Sequence, residues 1–323
     1  MFKFLFRRFL SLIPVIFIIS VMLFGMFKAM PGDPIRLMIP PGIKSEVQRK
    51  AIYDAKVQQF GLDKSIPEQY VRWLFNTAQG DFGTSTSFNR PVVEVIRTPL
   101  INSVRLNVLV IIIAFVISIP VGIRSAVKRY SLFDNFWQIF SLVGLSMPVF
   151  FIGLLLIYAI AINLRWLPAG GMPFNLTGNW TDIFQWLRYM ALPVITLTIG
   201  NLAGTIRYVR NAMIEVISKD FIRTARSKGL STKIIIYSHA FRNALIPVVT
   251  LVAGSLVGLF GGAAITETIF AWNGIGYVLI QALNSRDYMV VLTMNMFYAV
   301  LSLSANILMD IGYALVDPRI KLQ

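Results

Sequence analysis

The sequence predicts an all-α protein that crosses a membrane six times, with both ends cytoplasmic and a large folded extracytoplasmic loop between the first two crossings. Three observations predict it. Of 323 residues, 56% are hydrophobic and only 14% charged, whereas a soluble domain is about half apolar and roughly a quarter charged. The apolar residues lie in charge-free runs near the length of about 17–25 residues that a bilayer crossing needs. Lys and Arg gather beside those runs, so the net charge of +15 reads as an orientation signal and not as a nucleic-acid surface. The chain has no cysteine, which excludes disulfides and thiolate metal sites.

Residues 1–30 supply the first span, uncharged from Phe9 to Phe27. "KFLFRR" followed by an apolar run has the look of a secretory signal. Its 19 uncharged residues exceed a signal core of about 7–15, and "MFKAMPGD" is a poor small-residue cleavage site, so a retained span is expected.

Residues 31–97 read as a folded helical loop. Ser45 and Gln48 fit a capping box opening a helix to about Phe60, which Gly61 would stop. Pro67 can open a second helix with Tyr70, Leu74 and Ala78 on one face, and "GDFGTS" (80–85) has turn chemistry. This loop either caps the spans or receives an external partner.

Residues 98–323 hold the five-helix core, with charge-free runs Leu106–Ile123, Asn135–Leu164, Tyr189–Ile206, Asn243–Thr266 and Tyr288–Met309. Thr268–Ser285 is uncharged too, but "WNGIG" interrupts it, so a re-entrant or surface segment is expected in place of a seventh span. Trp166, Trp180 and Trp186 in the loop 163–188 suit a headgroup belt. Pro14, Pro120, Pro148, Pro193 and Pro247 fall within spans and can kink them. The bases set the orientation. Lys3, Arg7, Arg8, Arg124, Lys128, Arg129, Arg207, Arg210, Arg319 and Lys321 fall inside when the N-terminus is cytoplasmic, against Arg165, Arg188 and Arg286 in the short outer loops.

Absences narrow the function. The span cores carry no ionisable residue at mid-depth, so no proton relay is visible. The chain has no phosphate-loop motif, no H-E-x-x-H, no G-x-S-x-G and a single histidine. It therefore reads as neither an ATPase nor an enzyme, and energy for uphill movement would come from another subunit. Gly254, Gly258 and Gly262, with Ser255 beside them, form a small-residue stripe in the fifth span. That stripe serves intrachain packing, or it meets a partner or lines a pathway. Gly200 and Gly204 repeat the spacing once.

The insert "FIRTARSKGLSTKIIIYSHAFRN" (221–243) stands apart. With Lys219 it carries Arg223, Arg226, Lys228, Lys233 and Arg242 on the cytoplasmic side, together with His239 and Asn243. Phe221–Lys228 can make two helical turns closed by Gly229, with Arg223 and Arg226 on one face and Phe221 and Ala225 on another. Its helix–glycine–helix rhythm exceeds what orientation needs and points to a protein contact.

At these residues the chain resembles a known family. "RTARSKGLSTKIIIYSHAFRNALIPV" (223–248) is similar to the Glu-Ala-Ala loop of permease subunits of ATP-binding-cassette importers. Gly229 matches the loop glycine and Pro247 the downstream proline, while Arg223-Thr224-Ala225 replaces Glu-Ala-Ala, as in the peptide-permease branch. "PGDP" (31–34), "FGLDKSIPEQYVRWL" (60–74), "GDFGTS" (80–85), "WLPAGG" (166–171), "ETIFAWNGIGYVLIQAL" (267–283), "SRDY" (285–288) and "DPRIK" (317–321) extend the likeness along nearly the whole chain. It is to the first permease subunit of dipeptide, oligopeptide and nickel importers. The resemblance implies a bacterial or archaeal cell-membrane protein with no cofactor of its own, paired with a second permease and two ATPase subunits that hold ATP and Mg. An extracytoplasmic binding protein would deliver the substrate. Peptide is the default, while nickel, glutathione, opines and oligosaccharides occur among similar systems. Arg286 and Asp287 are a candidate outer-gate pair, against a solvated surface pair. The rival class is a passive channel or scaffold whose basic loop binds lipid or a signalling partner; it predicts that Gly229 is dispensable.

Overall fold

A computed structural model describes residues 2–29, 34–37, 39, 42–43, 45–59, 61–174 and 178–316. Residues 31–33 of "PGDP" and residues 317–321, "DPRIK", lie outside the described residues. The described residues form two compact units, one drawn from 2–101 and 278–303 and the other from 102–277 and 304–316.

In the first unit, α1 (Phe2–Ala29) is a candidate span, followed by α2 (Pro34–Leu37), α3 (Glu46–Gln59) and α4 (Ile66–Ala78). The Gln48 amide lies 3.5 Å from Ser45 Oγ at the start of α3. Gly61, at φ +65°, lets Leu62 N–H return to the Val57 carbonyl at 2.9 Å, the reversal that glycine permits after a helix. Pro67 lies in the first turn of α4. That helix packs on α1 through aromatics: the Tyr70 ring lies 5.5 Å from Phe24, Trp73 lies 5.6 Å from Phe24, and the Tyr70 hydroxyl meets Ser20 Oγ at 2.7 Å. The inward stripe is thus Tyr70, Trp73 and Leu74, while Ala78 is exposed.

The second unit is built around α8 (Thr181–Ile217), which runs unbroken through Pro193. Alongside it are α5 (Val92–Val127), α6 (Leu132–Ser146) and α7 (Val149–Leu156), the last continuing as a π-helical stretch, Ile157–Asn163. Then come α9 (Asp220–Ser227), α10 (Thr232–Ile234), a second π stretch (Ile235–Phe241), α11 (Arg242–Gly261) and α12 (Ala264–Ile269). Helices α13 (Ile275–Asn284) and α14 (Tyr288–Val316) close the chain.

Residue 97 lies inside α5, which continues from Val92 to Val127. Two expectations are revised. The run Asn135–Leu164 is not one straight span; it bends by 102° between α6 and the α7–π segment. Pro148 causes the bend: Met147 is driven to extended backbone at φ −85°, ψ 131°, because a residue before proline avoids the helical region. Trp186 is not a belt residue either. It is half-buried, with its ring 5.8 Å from buried Trp272, whereas Trp166 and Trp180 are exposed.

Among the described residues, four helices are long and apolar enough to cross a membrane, or five with the bent pair counted as one span. The segment 268–285 is broken as expected, and α13, at 10 residues, is too short for a crossing of about 20.

Candidate coupling site

The basic insert folds as expected in outline and differs in which side it buries. Helix α9 follows Lys219, which is extended at φ −72°, ψ 151°, and has Asp220 in its first turn. It closes on Gly229 at φ +75°. Gly229 N–H donates to the Arg226 carbonyl at 2.9 Å and Leu230 N–H to the Ala225 carbonyl at 3.4 Å. These two bonds form a Schellman closure, and the left-handed backbone explains why glycine stands there.

Ile222 and Ala225, three apart, form the buried face of α9, at 0% and 7% exposure. They enter a cluster with Ile123 and Ala126 of α5, Val209 and Met213 of α8, and Ile235 and Ala240 of the second π stretch. Burying the Ile222 side chain stabilises the docked helix by about 1.5–3 kcal/mol. Phe221, expected to share the apolar face with Ala225, instead lies exposed beside Arg223, Thr224, Arg226 and Lys228. The docked rod therefore presents an aromatic ring and three cations outward. Arg223 reaches Asp220 only at 3.5 Å across a solvated surface, so its charge stays available. A cavity of about 220 Å³ lies beside Arg226 and Leu230, walled by Ala126, Ile217 and Ile235.

His239 is half-buried, and its carbonyl accepts from Asn243 Nδ2 at 2.6 Å. Pro247 lies within α11, and its side chain is outside the described residues.

An ion pair missed by sequence reasoning braces the same unit. Arg210 of α8 meets Asp134 of α6, whose Oδ2 also accepts from the Tyr130 N–H at 2.9 Å. Asp134 was legible only as the residue ending a charge-free run. Glu267 is the second omission. Fully buried, it accepts from Ser103 Oγ at 2.6 Å, Tyr277 N–H at 3.0 Å and Ala263 N–H at 3.2 Å. A Cβ on Gly274 or Gly276 would lie 2.5 or 3.0 Å from the Glu267 carboxylate, so the glycines of "WNGIG" wrap an anion as well as breaking a helix. An acid seven residues before a Gly-x-Gly was the available signal.

The glycine stripe divides. Among the described residues, a Cβ on Gly254 or Gly258 would meet nothing within 4 Å, whereas one on Gly262 would lie 2.8 Å from the Gly276 nitrogen. Ser255 bonds to the Leu251 carbonyl at 2.7 Å. The first two glycines leave an open face on α11, and Gly262 forms a tight corner. Gly200 instead faces Val149, 3.1 Å from a built Cβ.

In the first unit Arg286 and Asp287 separate. Arg286 is exposed, while Asp287 is fully buried, binding Ser85 Oγ and accepting from the Ser87 N–H at 3.0 Å. Asp287 is therefore not half of a solvated surface pair; it anchors the "GDFGTS" turn.

These features define a helical, multi-pass membrane subunit with a short helix docked at one end of its long helices. Residues 118–322 match the binding-protein-dependent transport system inner membrane component, and residues 1–97 match the N-terminal component of that system. The chain belongs to this family of inner-membrane transport permeases and is a transport subunit, not an enzyme. It is 38% identical to the oligopeptide transport system permease protein AppB of Bacillus subtilis, over 98% of each chain. It is 34% identical to the dipeptide transport system permease protein DppB of Escherichia coli, over 99% of each. In fold it is similar to the MetNI methionine ABC transporter, with TM-score 0.51 and 17% identity over 68% of this chain and 97% of that one.

Proposed function

We propose that this chain forms, with a second homologous permease subunit, the membrane pathway of an ATP-driven importer for di- or oligopeptides. It crosses the membrane six times with both ends cytoplasmic, α11 supplying the remaining crossing. An extracytoplasmic binding protein delivers the peptide, and two separate ATPase subunits bind ATP and Mg. Closure of the ATPase pair pushes α9, which rocks the spans between inward- and outward-open states. The observation that carries this reading is the docked α9, whose buried face is seated on α5 and α8 while Phe221, Arg223 and Arg226 point away. A helix seated in that way transmits a push to the spans. The names of the relatives support peptide as the cargo.

The test is co-purification of ATPase subunits from detergent-solubilised membranes, scored beside ATP-dependent peptide uptake. Wild type is expected to bring them down, and both Gly229→Pro and Arg223→Glu/Arg226→Glu to lose them while still inserting. If neither variant changes uptake, α9 is only a topological anchor and the reading fails.

A further inference from the structure

At the C-terminal end of α1, a cavity of about 310 Å³ opens between α1, α4, the turn 81–84 and the start of α14. Among the described residues that line it, the cations are Lys28 and Arg72 and the one carboxylate, Asp81, already accepts from the Gly83 N–H at 2.9 Å. The Lys28 ammonium donates to Gln69 Oε1 and lies 5.6 and 5.5 Å from the ring centroids of Phe24 and Phe27. Gln69 is itself pinned, donating to the carbonyls of Lys64 at 2.7 Å and Leu62 at 3.2 Å. Rings and an amide ease the burial of an ammonium without supplying an opposite charge. Arg72 lies against Gly61, where a Cβ would come within 2.7 Å of its Nη1. Among the described residues, neither Lys28 nor Arg72 has a carboxylate within ion-pair distance. The cavity thus offers two cations to an anion that the described residues around it do not provide.

A second feature says what carries that anion. An apolar groove of about 110 Å³ adjoins the cavity, sharing Phe27 and Leu292 with it, and is lined by Leu23 and Met26 of α1 and Val291 of α14. Met26 is 54% exposed, on a helix whose outward side is apolar along its length. A free anion or a peptide carboxylate has no use for an apolar channel between two spans. A phospholipid needs both, with its headgroup against cations near the end of the span and a chain along the helices.

We infer that this corner binds one phospholipid, its phosphate held by Lys28 and Arg72 and an acyl chain seated between α1 and α14. With the proposed orientation the lipid belongs to the outer leaflet. The site makes lipid a structural component of α4 docking, independent of which solute is transported.

The test uses the whole transporter in nanodiscs of phosphatidylcholine and phosphatidylglycerol, with native mass spectrometry counting phospholipids kept after detergent exchange. Wild type is expected to retain one lipid on this chain. Lys28→Gln/Arg72→Gln should lower that retention about tenfold, as for loss of a charge-assisted contact, while Lys28→Arg keeps it. Met26→Trp fills the groove from its exposed side, leaves both cations, and should lower retention comparably. Retention equal to wild type in both the double variant and Met26→Trp would overturn the inference. So would protection of Lys28 from amine labelling by inorganic phosphate as strong as that by lipid, which would make this a free-anion site.

Discussion

Arg210 holds Asp134 through two parallel contacts, 2.6 Å from Nε to Oδ1 and 2.7 Å from Nη2 to Oδ2. The pair is nearly dry, at 12% and 1% side-chain exposure, and ties α6 to α8. Removing one partner strands the other charge, so Arg210→Ala should cost about 3–5 kcal/mol. Arg210→Lys should cost less but still lower the melting temperature, because an ammonium cannot reproduce the two-point fork. Asp134→Leu/Arg210→Met should recover most of the loss. Thermal unfolding of the purified chain ranks the three, and equal stability of all of them would show that the pair does not brace the unit.

The two sides of α9 should separate stability from coupling. Ile222→Ala removes the buried anchor and should destabilise the docked helix by about 2–5 kcal/mol. ATPase co-purification should fall with it although every basic residue remains. Phe221→Ala alters only the exposed face, so its stability should hold within about 0.5 kcal/mol of wild type while uptake drops. Uptake unchanged in Phe221→Ala would mean that this ring contacts nothing.

Gly229 offers a graded series. Nothing lies within 4 Å of a Cβ placed there, so only the left-handed backbone opposes a side chain. Ala should cost about 1–2 kcal/mol, Asn less, and Val more because β-branching disfavours positive φ. Limited proteolysis across residues 226–232 should follow that order, and uptake should follow it inversely.

Gly170 and Gly254 should respond oppositely to the same methyl group. On Gly170 it would sit 2.2 Å from the Phe270 carbonyl oxygen, so Gly170→Ala should lower the yield of folded protein sharply. On Gly254 it meets open space inside a helix, so Gly254→Ala should stabilise the chain alone by about 1 kcal/mol. Gly254→Leu/Gly258→Leu should leave that chain folded yet reduce recovery of the second permease subunit. Full recovery would remove the open face of α11 from the proposed assembly.

Glu267→Gln keeps the shape and turns one acceptor oxygen into a donor facing backbone N–H groups. The expected cost is about 1–3 kcal/mol, with Gly274→Ala comparable or worse because it reaches the same carboxylate. Melting curves of the two single variants and the double variant should be less than additive if both act on one buried node.

What the sequence made legible was whatever depends on local pattern. Charge-free runs located the long helices, Ser45 and Gly61 bounded α3, and the spacing before Gly229 revealed both α9 and its closure. What stayed hidden was the set of partners brought together by the fold. Asp134 and Arg210 are far apart in the chain, and Glu267 waits for Ser103 on another helix, so neither link leaves a periodic trace. Face assignment failed for a smaller reason. In eight residues, Phe221 and Ile222 are both apolar and only 100° apart around the helix, and packing against Val209 and Met213 selected Ile222. Spacing in the glycine stripes could not say whether a neighbour is present: the weaker pair packs through Gly200 on Val149, whereas the longer stripe is open at Gly254 and Gly258 and tight at Gly262.

Helix α8 enters two separate apolar clusters. Near one end Met190 and Val194 pack with Trp272, and toward the other Val209 and Met213 pack under Ile222 and Ala225. Met190 and Met213 are separated by roughly 35 Å of helix at 1.5 Å per residue, about the thickness of the hydrocarbon layer. The same continuous backbone is thus packed at both of its stations; in the proposed importer that would make α8 a tie rod, delivering a tilt imposed at one clamp to the other across the bilayer without passing through any loop.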